Sequence, residues 1–296
     1  MKKKYQIPII ISIILLLILY IINANLIIKN ILDYTNLFIN KLFPTTFIIY
    51  ILSSILIDYE IINILSTKRT NGNIIYVALM SILSGFPSGV KYTKDLLDKN
   101  LITKETGNYL ITYTNFPNPL FLLGSISTVL NKKLTLKLFI IIIISNLLIA
   151  IIFKPKKLSN NENKYKLEKN IDFSTSLKNA TNNSIKTLLI IYSTSLFFYL
   201  ISVIINKYFS LVPINYIILN SFLDLTKGIF STTLLSNIKI RAYIILVFLS
   251  FGSISIHMQI KSIISDTSLN YKNYLLGRII QVLIASFLFF LITKNN

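Results

Sequence analysis

Residues 134–153 read LTLKLFIIIIISNLLIAIIF, a run of 20 residues from Leu134 to Phe153 whose only charge is Lys137. The hydrocarbon core of a bilayer is about 30 Å thick and takes roughly 20 apolar residues to cross as a helix. This run fits that length, and others like it lie on both sides of it. Ile7–Ile28 is nearly uninterrupted, Leu37–Leu65 has Pro44 near its start and Asp58 and Glu60 near its end, and Ile185–Ile205, Ala242–Ile256 and Tyr274–Ile292 complete the set. In lipid a backbone satisfies its own hydrogen bonds only as a helix or a closed barrel, and runs of this length mean helices. The fold class is therefore all-α: a polytopic transmembrane helix bundle.

The composition agrees. Of 296 residues, 53% are hydrophobic, and the mean hydropathy of +0.67 exceeds that of an ordinary soluble domain. Met1–Lys4 ahead of Tyr5–Ile28 has the outline of a signal peptide. The apolar stretch is too long and no small-residue cleavage site follows it, so it reads as a retained first span. The formal net charge is +19. These lysines sit between apolar spans rather than along one polar face, which points away from nucleic acid and towards cytoplasmic loops. There is no cysteine and one histidine, His257, so thiolate chemistry, iron–sulfur clusters and paired-histidine metal sites are excluded.

Two regions depart from simple spans. Ile74–Leu130 is broken at Gly85-Phe86-Pro87-Ser88-Gly89 and again at Asn115-Phe116-Pro117-Asn118-Pro119, with a polar, helix-compatible stretch between that Thr103 is placed to cap. Leu211–Leu235 is broken at Asp224–Gly228, and the next apolar run is broken at Gly252-Ser253. An unwound backbone at membrane depth leaves peptide groups that cost several kcal/mol each unless protein or a cavity satisfies them. Each half thus carries two breaks about 30 residues apart, the pattern of a transporter built from two inverted repeats with broken or re-entrant hairpins.

The implied organisation is an N-terminal transmembrane helix over 1–28, a first repeat over 29–153, a basic cytoplasmic linker over 154–183 and a second repeat over 184–296. The positive-inside rule puts Met1–Lys4, Lys68-Arg69 and the linker on one side. An odd number of crossings must then separate Arg69 from Lys132, as one re-entrant hairpin plus one true crossing would provide.

Ionisable and polar groups inside the membrane are candidate functional groups by default. Asp224, with Thr226 and Gly228, would bind solute, a coupling Na⁺ or a proton; its structural alternative is an ion pair with Lys227 or Arg241. Ser84, Gly85, Pro87, Ser88, Gly89 and Lys91 would form an anion cradle where a helix restarts. Asn115 and Asn118 have amides that both donate and accept, suited to a polar solute or to the backbone groups their prolines release. Gly252, Ser253, His257 and Gln259 complete the set, with His257 either a packing residue or a group titrating near neutrality. No phosphate-binding loop, nucleophile elbow or carboxylate pair points to an enzyme, and no resident cofactor is implied.

These residues also carry a resemblance. Ser84-Gly85-Phe86-Pro87-Ser88-Gly89-Val90-Lys91, Leu101–Glu105, Asn115 through Gly124, Leu223-Asp224-Leu225-Thr226-Lys227-Gly228 and Phe248–Gln259 resemble the signatures of the YlbJ-type sporulation integral membrane proteins. Those belong to the nucleoside-recognition or Gate domain group. Phe86 stands where that pattern has Tyr, Asp224 where it has Glu, and Ser253 where it has a second Gly. The resemblance implies inverted repeats like those of concentrative nucleoside transporters, and delivery of dipicolinic acid towards the forespore. The expected function is transport of a small polar, anionic solute, with the lipid bilayer as the other partner and room for a homo-oligomer. The alternatives are a nucleoside or related solute as cargo, and a non-transporting assembly factor for spore maturation.

Overall fold

The computed structural model describes residues 3–66, 71–155 and 172–294. Every regular element among them is helical. The leading elements are α1 (Lys3–Ile22), α2 (Ala24–Leu37), α3 (Phe43–Asp58) and the short α4 (Ile61–Leu65). A π-helical turn, Phe38–Leu42, joins α2 to α3. The first apolar run is not one helix: the chain turns by 94° at Asn23. The Asn23 amide bonds the Leu19 carbonyl and Tyr208, and its oxygen takes Lys207. A polar residue with three such partners ends the helix where apolar content alone would continue it. Of the basic segments read as cytoplasmic, Met1-Lys2, Lys68-Arg69 and 156–171 lie outside the described residues.

α5 (Gly72–Ser84) and α6 (Ser88–Asp98) form a hairpin. The Asn73 amide in the first turn of α5 reaches the Leu101 carbonyl beyond the end of α6, at 3.0 Å, so entry and exit lie together. α7 (Lys104–Tyr113), capped by Thr103 as its sequence implied, is followed by the irregular residues 114–118 and then α8 (Pro119–Val129). α9 (Lys132–Ile152) is the long apolar span. α10 (Phe173–Tyr208) begins inside the stretch read as linker, so the described part of that linker is mostly helix. α11 (Pro213–Leu223) and α12 (Leu225–Ser231) form a second hairpin, α13 (Ile238–Phe251) and α14 (Ile254–Ile264) a second broken span, and α15 (Tyr271–Lys294) the last helix.

Side-chain links fix which ends lie together. At the end where α9 stops and α10 starts, here the near end, Asp58 receives Ser176 at 2.6 Å and also Lys99. There too Lys94 meets Asp266 at 2.7 Å, and Asn108 accepts the Asn270 N–H. At the far end Arg241 binds the carbonyls of Val129 and Leu235. The hairpin α5/α6 therefore opens to the near end and α11/α12 to the far end. Both broken spans and the long helices α9, α10 and α15 run between the two ends. That is two repeats of inverted topology, with the hairpin-plus-crossing count between Arg69 and Lys132.

α2 and α3 run antiparallel to α10, tied by Asn23–Tyr208, Asn30–Tyr199 and Thr35–Tyr192. α9 shows why these helices suit lipid. Leu138, Ile141, Ile142 and Ile149 are buried, whereas Ile140, Ile144, Leu147 and Ile151 are exposed, so its outer stripe is as apolar as its inner one. Among the described residues four helices, Lys132–Ile152, Phe173–Tyr208, Ile238–Ile264 and Tyr271–Lys294, are long and apolar enough to cross a membrane, and the bent pair at Asn23 supplies a fifth candidate.

Candidate functional site

The four breaks meet. A cavity of about 480 Å³ is walled by Ser84 and Phe86 from the first hairpin tip, Asn118 and Phe121 from the first broken span, and Asp224 and Thr226 from the second hairpin tip. Ser255 and Gln259 come from the second broken span. Tyr34 on α2, Phe38 in the π-helical turn, Thr46 on α3 and Ser195 on α10 also line it.

Each break has a local cause. Gly85 turns at φ 79° and Gly252 at φ 91°, in the left-handed half of the map where a side chain is strained. A Cβ at Gly85 would also strike Asn118, and one at Gly89 would strike Thr114, so the first hairpin tip and the first broken span lie in backbone contact. The Asn118 amide donates to the Ser84 carbonyl at 3.1 Å, and its oxygen caps the N–H groups of Leu120 and Phe121. In the second half Asp224 caps α12 by accepting from Lys227 N–H at 3.0 Å, and Gly228 lets that arm lie against Ser221. Ser253 caps α14 through Ile256 N–H, and Gln259 donates to Ser195 at 2.9 Å.

The predicted site residues thus fall into three groups. Ser84, Asn118, Asp224, Thr226 and Gln259 face the cavity. Gly85, Pro87, Ser88, Gly89, Gly228, Gly252 and Ser253 shape the backbone around it. Lys91, Asn115 and His257 do neither directly. Lys91 is buried against Asp95 at 2.6 Å, with the rings of Tyr50 and Tyr92 at 5.4 and 5.2 Å, and does not line the cavity. A residue in the first turn of a restarted helix need not point where the helix starts: its azimuth carries Lys91 to a different neighbour. Asn115 accepts from Tyr274 and gives its carbonyl to Asn146. His257 contacts the Phe251 carbonyl at 3.1 Å and the Tyr271 hydroxyl at 2.8 Å. A carbonyl only accepts, so Nε2 carries the proton and Nδ1 accepts from the tyrosine. This histidine closes the end of α13.

The structural alternative for Asp224 does not form. Lys227 lies 4.8 Å from the Tyr199 ring, Arg241 is engaged by the two far-end carbonyls, and none of the four ion pairs formed among the described residues includes Asp224. Asp224 is 2% exposed and faces the cavity, and no Lys, Arg or His is among the described side chains that line it. No cluster of metal-ligating side chains occurs among the described residues. A second cavity, about 400 Å³, lies across α12 and shares Tyr34, Asp224, Thr226 and Phe230 with the first.

The wall from α2 and α3 was not visible in the sequence, because nothing in those apolar runs says which helix they pack beside. Arg278 is visible there, yet it stands outside the predicted set. It is an arginine inside an apolar span, fully buried on α15, and it binds carbonyls at the inner ends of both broken spans.

Across 306 aligned residues, taking in 85% of this chain and 74% of the other, the chain is 25% identical to the sporulation integral membrane protein YlbJ of Bacillus subtilis (strain 168). No family model matches the chain, and no solved structure does. The similarity bears out the resemblance drawn from the motifs: the chain is a divergent relative of the YlbJ-type proteins. With its apolar spans it is a multi-pass integral membrane protein.

Proposed function

We propose that the protein carries a small polar solute across its membrane by alternating access, with the cavity between the four breaks as the solute site. One observation carries this reading: hairpins that open to opposite ends bring their tips, and the breaks of the two crossing spans, to one cavity of about 480 Å³. Broken helices at mid-depth between inverted repeats are how transporters build a site, and that volume is in the small-molecule range.

The cargo suggested by the resemblance is dipicolinic acid, in a role in sporulation like that named for the similar protein. A planar ring suits walls that present Phe86, Phe121 and Phe230 alongside the polar groups of Asn118, Thr226 and Gln259. The charge balance sets a condition. A dianion beside the Asp224 carboxylate is repelled by it unless protons or a coupling cation such as Na⁺ travel with it. A nucleoside or related neutral solute, the second reading, meets no such repulsion. A non-transporting assembly factor remains the third. It has no use for a polar cavity and predicts that Asn118, Asp224 and Gln259 tolerate substitution.

The test is uptake into proteoliposomes of labelled dipicolinate and labelled uridine, each with and without gradients of Na⁺ and H⁺. Saturable uptake of one, competed by its own class, supports transport and names the class. No uptake of either, together with restored spore dipicolinate by Asp224→Ala in a spore-former lacking its own YlbJ-type protein, would overturn it.

A further inference from the structure

We infer that Arg278 is a positioning residue whose guanidinium locks the two broken spans to each other, so that the halves of the cavity keep one register. The inference rests on reading the cavity as a solute site. Arg278 is 0% exposed, and no ion pair to it forms among the described residues. Its charge is spread over neutral oxygens instead. Nη2 donates to the Thr112 carbonyl at 2.7 Å and to the Asn146 side-chain oxygen at 3.2 Å. Nη1 donates to the Gln281 side-chain oxygen and reaches the Ser250 carbonyl at 3.5 Å.

Thr112 and Ser250 occupy equivalent places, each in the last turn of the first half of a broken span, α7 and α13. Carbonyls there have no partner within the helix and carry the negative end of its dipole. A cation between two such ends is stabilised by both without a carboxylate. Only a planar fork reaches both at once; an ammonium is a single point. The surroundings fit this task. Gly277 admits the end of α7, since a Cβ there would overlap the Thr112 backbone. Asn146 passes the link on through its amide to the Asn115 carbonyl at 3.0 Å. Asn115 lies in the break that leads to Asn118, and Ser250 in the helix end that leads to Ser255 and Gln259. One side chain on α15 thereby sets the relative placement of cavity walls from both repeats.

The chain has no cysteine, so cysteines introduced at the exposed Lys104 on α7 and Lys239 on α13 can be spin-labelled and the distance between them measured by electron double resonance. Wild type, Arg278→Lys and Arg278→Gln are compared, and equilibrium binding of dipicolinate and of uridine is measured on the same proteins. The expected result is a broadened or shifted distance for the Gln variant and an intermediate one for Lys. Binding of whichever probe the wild type takes should weaken roughly tenfold, with less change in maximal uptake rate. Wild-type distances in both variants overturn the inference, whatever the probes do. A wild type that binds neither probe counts against the solute site, and the distances then decide on Arg278. If Arg278→Gln fails to insert, Asn146→Ala breaks the same link one bond further on.

Discussion

Asn118 donates its amide to the carbonyl of Ser84 at 3.1 Å, joining the break of one helix to the last residue of the arm before it. The same side chain caps Leu120 and Phe121 with its oxygen. One side chain thus completes two helix ends, the C-terminal end of α5 with its amide and the N-terminal end of α8 with its oxygen.

Asn118→Ala removes both functions. It should lower stability by about 1–3 kcal/mol and reduce uptake, read by thermal unfolding in detergent and by proteoliposome assay. Asn118→Asp keeps the cap but cannot donate to Ser84. If Asp restores both stability and uptake, the bond to Ser84 has no role.

Asp224 separates charge from capping. Asn at this position still accepts from the Lys227 N–H, so Asp224→Asn should fold normally and lose gradient-driven uptake. Asp224→Ala should lose uptake and also about 1 kcal/mol of stability with its cap. Wild-type, ion-coupled uptake by the Asn variant would show that the carboxylate carries no charge for transport.

Lys91 belongs to stability. Lys91→Met strands the partly buried Asp95 beside buried tyrosines and should cost about 1–3 kcal/mol. It should leave the preference between dipicolinate and uridine where it was, and Lys91→Met with Asp95→Leu should recover much of the loss. A selective fall in dipicolinate uptake by the single variant would return Lys91 to the site.

At the near end, Lys94 donates to the exposed Asp266 and holds its carboxyl below the ordinary range. A carboxyl lowered on folding contributes stability above its unfolded pKa and loses it as pH falls through the folded one. The group is exposed, so the effect is below about 1 kcal/mol. Amide exchange in residues 265–270 should therefore quicken on acidification in wild type, beyond the intrinsic change, and be quick at neutral pH in Asp266→Asn. Identical exchange in both proteins at neutral pH would dismiss the link.

The breaks at Gly85, Asn115–Pro119, Asp224 and Gly252 were legible because glycine, proline and charge persist at membrane depth only where packed protein or a cavity receives them. Inverted topology followed from their spacing and from counting crossings. The turn at Asn23 was not legible, since one asparagine in an apolar run looks tolerable until Tyr208 and Lys207 arrive from the far end of α10 to hold it. Lys91 misled because position along a helix is written in sequence, whereas its azimuth against Tyr50 is set by packing. The cavity wall from Tyr34, Phe38 and Thr46 depends on which helices sit side by side, and periodicity in a lipid-facing run does not encode that. Arg278 needed no structure to be noticed; its partners are carbonyls, which no sequence motif displays.

The short arms of the hairpins bear on how the chain is made. α5 has 13 residues, about 20 Å of helix, too little for a bilayer core of about 30 Å. The translocation machinery would not release such an arm to lipid as a stable span. It must wait near the headgroups until the long helices, several of them encoded later, are in place to receive it. α15, which holds Gly277 and Arg278 against the end of α7, leaves the ribosome after all the other described elements. Arms this short call for assembly in two stages, with long spans inserted first and the hairpins threaded between them afterwards. A chain stalled before Tyr271 would be anchored in the membrane, with its central cavity unassembled.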